Sequence, residues 1–446
     1  MIKKIFTFIF FASFGIGRAQ LCFTPIPDFG CGGNPGEITS GDFDGDGNMD
    51  LAVSVPATNS ISVLLGTGNG NFNTFTTYSV GTSPSAIITD DFNGDAKLDL
   101  AVTNNGASDI SVLLGIGGGS FSTSTNYSVS FLPWGIISGD FNNDGKIDLI
   151  VTNASTNNFS LLLGSGSFGA ASNFGVGSHP HGIAGGDFNG DSQLDVAVTN
   201  YSSNNISILL GNGAGGVGVA TNYPVGTNPE MLVARDFNGD GILDVAVANG
   251  GSNNLSVLLG TGAGNLGTST NFPVGTDPLY VIATDFDGDT KLDLATANHT
   301  SNDASFLLGD GLGSFGTAAT FTVGIHPYGI INSDFNNDLK PDWATVNYGT
   351  ASISVRLNCT AVGIAHTDLT KKCSIYPNPA SGQLIVETNS IVSEKVFLYD
   401  INGKLILSKE INGKTTIDIT NIEKGVYTLA IKSTSETLSR KLVIVH

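Results

Sequence analysis

The segment Asp42-Phe43-Asp44-Gly45-Asp46-Gly47-Asn48-Met49-Asp50 places acidic or amide side chains on alternate positions behind a phenylalanine, and an apolar run, Leu51-Ala52-Val53, follows it. The pattern returns starting at Asp91, Asp140, Asp187, Asp236, Asp285 and Asp334, in steps of 49, 49, 47, 49, 49 and 49 residues. A period this regular marks a repeat architecture in which each unit is one supersecondary element.

Working outward, every unit has the same plan. An apolar stretch such as Tyr280-Val281-Ile282-Ala283 enters the acidic loop, and Leu292-Asp293-Leu294-Ala295 leaves it. A polar Asn/Ser turn, an alternating segment such as Leu255–Leu259, a Gly-rich turn and an aromatic segment such as Asn271–Gly275 complete the unit. Short apolar or alternating runs bounded by Gly, Asn and Pro are strands. Four strands per unit make a propeller blade, and seven units predict an all-β, seven-bladed β-propeller.

The ends of the array support closure. After the seventh loop comes Ser352–Leu357 and no fourth segment, whereas Cys22–Pro35 aligns without a gap to Asn265–Pro278, placing Phe23 on Leu266 and Phe29 on Phe272. The N-terminal segment is therefore expected to supply the last blade's outer strand, leaving no open edge. Cys359 and Cys22 fall where Thr67 and Asn71 flank the first hairpin turn, which predicts a Cys22–Cys359 disulfide; a Cys22–Cys31 pair is the competing arrangement. Cys31 replaces an apolar position and reads as a buried free thiol, while Cys373 has no assigned partner.

Bulk composition agrees. The chain has 446 residues, 59 of them Gly, and a net charge of −20, which excludes nucleic acid as a natural partner. Residues 20–359 hold 31 acidic against 6 basic residues, and 23 of those acids sit in the seven loops. Lys3 and Lys4, then the apolar run Ile5–Ile16 and the small residues Gly17 and Ala19, read as a signal peptide over 1–19. No later segment is long and apolar enough to span a membrane. The expected domains are a signal (1–19), the propeller (20–359), a linker (360–373) and a C-terminal module (374–446).

Alternate oxygen-bearing positions suit calcium, a hard cation that takes six to eight oxygens in a flexible shell. Each loop would offer its first, third, fifth and ninth side chains and the main-chain carbonyl of its seventh residue. These are Asp42, Asp44, Asp46, Asn48 and Asp50; Asp91, Asn93, Asp95, Lys97 and Asp99; Asp140, Asn142, Asp144, Lys146 and Asp148. The remaining loops give Asp187, Asn189, Asp191, Gln193 and Asp195; Asp236, Asn238, Asp240, Ile242 and Asp244; Asp285, Asp287, Asp289, Lys291 and Asp293; Asp334, Asn336, Asp338, Lys340 and Asp342. Up to seven structural calcium ions follow. Gly eases a positive backbone angle at the sixth position, and only Gly47, Gly145 and Gly241 supply it; Ala96, Ser192, Thr290 and Leu339 stand there otherwise. Loops one, three and five are expected to bind best and loop seven, with Pro341 before Asp342, least well.

The motif D-F-[ND]-x-D-x-x-x-D before an apolar strand resembles the FG-GAP/VCBS repeat family, which includes the seven-bladed propellers of integrin α-subunits. The resemblance covers about residues 22–359. It implies structural calcium in the loops and ligand binding on the opposite face.

After the linker, Tyr376-Pro377-Asn378-Pro379 opens a region of alternating strands, including Gln383–Glu387, Lys395–Tyr399 and Lys404–Ser408. Several short strands in so few residues predict a small, immunoglobulin-like β-sandwich. Its landmarks, Tyr376–Pro379, Tyr399–Lys404, Gly425–Tyr427 and Lys441–Val443, resemble the type A sorting domain of the type IX secretion system of Bacteroidota. That resemblance implies export across the outer membrane, a partner in the secretion machinery, and a secreted or surface location.

On the face opposite the loops the frame is constant while certain side chains vary. After a shared Pro come Gly36, Ser85, Trp134, His181, Glu230, Leu279 and Tyr328; His179, Tyr201, Tyr280, His299 and Tyr348 lie nearby. Exposed aromatics and imidazoles around a depression suit sugar stacking or a protein partner. The expectation is a non-enzymatic binding or adhesion module for glycan or protein ligands. The alternative is a polysaccharide lyase or hydrolase, for which His179, His181 and Glu230 form the constellation to watch.

Overall fold

The computed structural model describes residues 21–360, 373–388, 394–400, 404–411, 413–432 and 437–445. The expected signal peptide, residues 361–372 of the linker, Asn402-Gly403 and the Cys373 side chain lie outside the described residues. The chain packs as two compact units, one holding the described residues up to 360 and the other those from 373.

In the first unit every repeat is a four-stranded antiparallel sheet. The second blade shows the plan, with strands Pro84–Asp90, Asp99–Asn104, Asp109–Leu113 and Thr125–Ser128 in spatial sequence. The second strand is buried along its whole length, from Asp99 to Asn104, which explains its continuous apolar reading. The first strands of successive blades lie against one another all the way round, and that of the seventh returns to that of the first. The fold is a closed seven-bladed propeller.

Closure follows the expected register. Phe23 pairs with Asn358 and Phe29 with Ile353, so the N-terminal segment is the outer strand of the last blade. Phe23 packs among Phe286, Phe306, Phe321 and Trp343 at centroid distances of 6.0, 4.8, 5.0 and 5.6 Å. The Cys22–Cys359 disulfide joins the two ends across a sequence separation of 337, and Cys31 is a buried free thiol.

The phenylalanine of each acidic loop bolts its blade to the next. Phe43 meets Phe121 at 5.5 Å, Phe92 meets Phe168 at 5.8 Å, and Phe335 meets Phe72 at 5.7 Å between the seventh blade and the first. The backbone does the same, because Gly119, Gly264 and Gly70 donate their amides to the carbonyls of Phe43, Phe188 and Phe335. Burying one such ring contributes roughly 1.5–3 kcal/mol. Loop conformation and ring cohesion are thus coupled.

The second unit is β-rich throughout its described residues. Strands Cys373–Ser381, Gln383–Thr388 and Lys414–Asp418 pair in one antiparallel set and Glu394–Tyr399, Leu405–Ile411, Gly425–Lys432 and Thr437–Ile444 in another, and a parallel bridge between Ala380 and Ile444 links the two. Leu384, Val386, Val396, Leu398, Ile417 and Leu429 fill the space between them. The Tyr427 hydroxyl donates to the Glu423 carbonyl at 2.7 Å, a brace typical of immunoglobulin-like sandwiches. Among the described residues no helix is long and apolar enough to cross a membrane.

Candidate metal loops and the opposite face

Antiparallel order puts the seven acidic loops, which join the first and second strands, at one end of the blades. The turns joining second to third strands, and the connections entering each first strand, lie at the other end.

At the acidic end the loops share one geometry. In the first, Asp42 Oδ1 accepts the amides of Gly45 and Asp46 at 2.8 and 3.2 Å, and its Oδ2 accepts that of Gly47 at 3.0 Å. Asp44 and Asp46 each accept the amide two residues on. The sixth residue has a positive φ in every loop, at 86° for Gly47, 65° for Ala96, 78° for Gly145 and 67° for Ser192. It is 82° for Gly241, 72° for Thr290 and 65° for Leu339. The fourth residue does likewise, and there Gly or Asn (Asn143, Asn337), the residues that adopt this region most readily, occupies every loop.

Three carboxylates converge in each of the two loops whose third residue is an aspartate. Carboxylate oxygens of Asp42, Asp44 and Asp46, and of Asp285, Asp287 and Asp289, lie within 4.8 Å of one another. Two ligands each about 2.4 Å from one centre span that distance, so these sets fit a calcium ion. Burial and the neighbouring Asp289 and Asp285 carboxylates hold Asp287 above the usual carboxylate range, a repulsion that a bound cation would relieve. In the loops with Asn93, Asn142, Asn189, Asn238 and Asn336 the amide oxygen accepts the fifth residue's amide. Lys97 and Lys291 fold their ammonium groups onto Asp95 and Asp289 at 2.9 and 2.8 Å.

The ninth aspartates play a distinct part. Asp50 accepts the Phe43 amide at 2.8 Å and the Gly66 amide at 2.7 Å. Asp99, Asp148, Asp195, Asp244, Asp293 and Asp342 repeat this pair of bonds. All seven are buried. Burial raises their pKa values, to about 6 for Asp50 and Asp342 and about 7 for Asp293. Each staples its loop to the start of the third-strand hairpin, and neither Asp50 nor Asp293 belongs to the converging carboxylate groups of the first and sixth loops.

At the opposite end, side-chain hydroxyls fix the variable residues. Ser54, Thr103, Thr152 and Thr199 donate to the carbonyls of Ser85, Trp134, His181 and Glu230 in the following blade. Five candidates then gather. The Trp134 ring stacks on His181 at 4.4 Å, Tyr201 stacks on the same imidazole at 4.6 Å, and His179 lies 5.0 Å from it. His181 Nδ1 sits 2.6 Å from Glu230 Oε2, while its Nε2 is buried without a partner. Burial holds His179 below the usual imidazole range.

A second group forms around His299, which stacks on His326 at 4.7 Å and lies 3.4 Å from Asp277. Tyr328 lies edge-on to His299 at 6.4 Å and also joins Trp134 and Tyr348 in lining a cleft of about 240 Å³, with Pro35, Gly36, Pro56, Ser83, Pro84, Ser85 and Asn105. Tyr280 is half-buried beside Glu37, whose carboxylate holds its phenol above the ordinary range. Glu37 itself accepts the Ile87 amide at 3.2 Å, and burial pushes it up to about 8. Sequence reasoning passed over Glu37, His326 and Asn105. The signal for Glu37 was present, because Ala86, Gly135, Gly182, Met231, Tyr280 and Gly329 occupy its place in the other blades and none is charged.

Comparison with known proteins agrees with both units. The FG-GAP-like repeat family matches residues 91–151, 140–198, 187–247 and 236–296, and the FG-GAP repeat matches 34–72. The seventh loop lies beyond those spans yet has the same geometry. The secretion system C-terminal sorting domain matches residues 374–445, which marks the protein for type IX export to the cell surface or medium. No curated protein matches the chain. Among solved structures, BBS1N in complex with ARL6DN aligns with a TM-score of 0.54 and 14% identity, over 76% of this chain and 97% of that one. A functionally unknown protein from Desulfotomaculum acetoxidans DSM 771 aligns with a TM-score of 0.50 and 14% identity, over 67% and 88%. At such identities the likeness is one of fold. With its seven loops in register and its matched C-terminal module, the chain belongs to the FG-GAP repeat β-propellers that end in a type IX secretion sorting domain.

Proposed function

We propose that this secreted or cell-surface propeller is a calcium-stabilised, non-enzymatic binding module that holds a glycan or protein ligand on the face opposite its acidic loops. The observation that carries the reading is the cleft walled by Trp134, Tyr328 and Tyr348. Aromatic walls with a few polar groups between them are the usual makeup of a ligand site. The converging carboxylates of the first and sixth loops support the calcium assignment. Calcium would hold turns that are bolted to neighbouring blades, so its role is to keep the face in shape. Binding of the secreted chain to glycan and protein panels, with and without calcium, tests the reading. Retention of every ligand by a folded Trp134→Ala variant would count against it.

One observation favours a second reading, a polysaccharide lyase or hydrolase. His181 and Glu230 form an imidazole–carboxylate pair with a free Nε2, as a general base requires. That nitrogen, however, is buried among rings, and among the described residues no Lys or Arg lies in either aromatic group. Turnover of a polysaccharide that is lost in His181→Gln would establish this reading instead.

A further inference from the structure

The residue after the shared proline runs, in blade order from the seventh to the third, Tyr328, Gly36, Ser85, Trp134. Two small residues thus stand between two large rings, and the gap they leave is the cleft. We propose that this gap is a subsite for one uncharged pyranose ring, stacked on Trp134. The proposal rests on the binding-module reading above and names its ligand.

Size argues for a single ring. The cleft holds about 240 Å³, below the roughly 300–1,000 Å³ of pockets for drug-sized ligands. Its floor cannot easily be filled, since a Cβ on Gly36 would meet Ser54 Oγ at 2.8 Å. Pro35, Pro56 and Pro84 add rigid apolar wall.

Chemistry argues for a sugar. A pyranose presents C–H groups on its faces and hydroxyls around its edge. The cleft answers with aromatic faces and with polar groups that have no partner among the described residues: the Asn105 amide, the Ser83 and Ser85 hydroxyls, and the phenols of Tyr328 and Tyr348. Amphipathic rings of this kind are suited to such contacts.

Charge argues for an uncharged one. No Asp, Glu, Lys, Arg or His lines the cleft. The phenol of Tyr328 is raised above its ordinary range first by burial and then by the nearby carboxylates of Glu230, Glu37 and Asp277. Glu37, pushed up to about 8, is protonated at neutral pH, so the negative potential that disfavours a uronate or sulfated sugar comes from Glu230 and Asp277, and no lining carboxylate is available to pair with an ammonium.

The platform is also fixed beforehand. Trp134 is stacked on His181, which Glu230 holds, and its carbonyl is anchored by Thr103 at 3.0 Å. A rigid ring loses little freedom on binding.

The chain reports on its own site. It has two tryptophans, Trp134 and Trp343, and Trp343 is wholly buried. Emission from the full secreted chain, saturated with calcium, is to be titrated with glucose, galactose, mannose and fucose, and with galacturonate and glucosamine. The expected result is a saturable shift with at least one neutral sugar, with Kd on the order of 1 mM, and binding of galacturonate weaker by about tenfold or more. Ser85→Phe, which fills the gap, and Tyr348→Ala, at an exposed rim position, should each weaken it by about tenfold or more while leaving the melting temperature unchanged. Tighter binding of a charged sugar, or binding that survives a folded Ser85→Phe variant, overturns the proposal. If no sugar binds but Trp134→Ala abolishes capture of a protein ligand, the sugar subsite falls and the binding-module reading stands.

Discussion

The indole of Trp134 lies parallel to the imidazole of His181, with 4.4 Å between centroids and 7° between planes. Tyr201 stacks on that imidazole in turn, and Glu230 holds its Nδ1. Such ring pairs contribute about 0.5–1.5 kcal/mol beyond their buried area. His181→Ala should therefore lower stability by about 1–3 kcal/mol and free the indole to tilt into solvent. Tryptophan emission would move to longer wavelength in the folded variant, because Trp343 stays in the core. An unchanged spectrum would show that His181 does not hold Trp134.

Glu37 carries a pH dependence whose sign can be worked out. Its carboxyl has an ordinary value of 4.5 and is raised by burial to about 8 in the folded chain. Between those values the folded state holds a proton that the unfolded state has lost, so stability falls as pH rises through the window. Glu37→Gln keeps an oxygen for the Ile87 amide and removes the titration. In saturating calcium the variant should be more stable than the parent at pH 8, by up to a few kcal/mol, and should match it at pH 4.5. Parallel curves for the two proteins across that range would refute the assignment.

Calcium affinity should differ among loops for a backbone reason. All seven sixth residues adopt left-handed φ, which costs a side-chain-bearing residue on the order of 1 kcal/mol and most for β-branched Thr290 at 72°. The first loop combines Gly47 with three converging carboxylates, and the seventh combines Leu339 with Asn336. Calorimetry should find Asp46→Ala removing a tighter site than Asp338→Ala removes. Thr290→Gly should tighten the sixth site about fivefold, the equivalent of that strain. Chelation should lower the melting temperature of the whole propeller, since the loop phenylalanines bridge blades.

Much of this was legible because the repeat is strict. Seven copies in register fix blade number, loop position and the closing strand, and the alignment of Cys22 with Asn71 locates the disulfide. The ninth aspartates were not legible, because a carboxylate in the sequence does not say which way its oxygens point. Only the structure shows Asp50 reaching the amides of Phe43 and Gly66. Contacts between blades were hidden for a related reason. Glu37 and Ile87 are fifty residues apart, and only the packing of the first blade's inner strand against the second's makes them neighbours. In the second unit, strand Lys414–Asp418 was missed because charged ends mask its one buried apolar residue, Ile417.

The Cys22–Cys359 bond acts where the ring has its single seam. Every other blade is continuous through its hairpin turns, whereas the last depends on Phe23–Pro25 and Phe29–Gly30 pairing with Ser352–Asn358. The bond spans 337 residues, and chain-entropy accounting gives such a closure about 5 kcal/mol, with measured losses of about 2–5 kcal/mol typical for native disulfides. Cys22→Ser should lower stability within that range. The loss should be local first, because Phe23 leaves a pocket shared with Phe286, Phe306 and Trp343. Hydrogen exchange would then rise earliest in Ser352–Asn358 and in the sixth blade, while blades two to four keep their protection. Uniform loss of protection around the ring would mean that the bond stabilises the fold as a whole and not its seam.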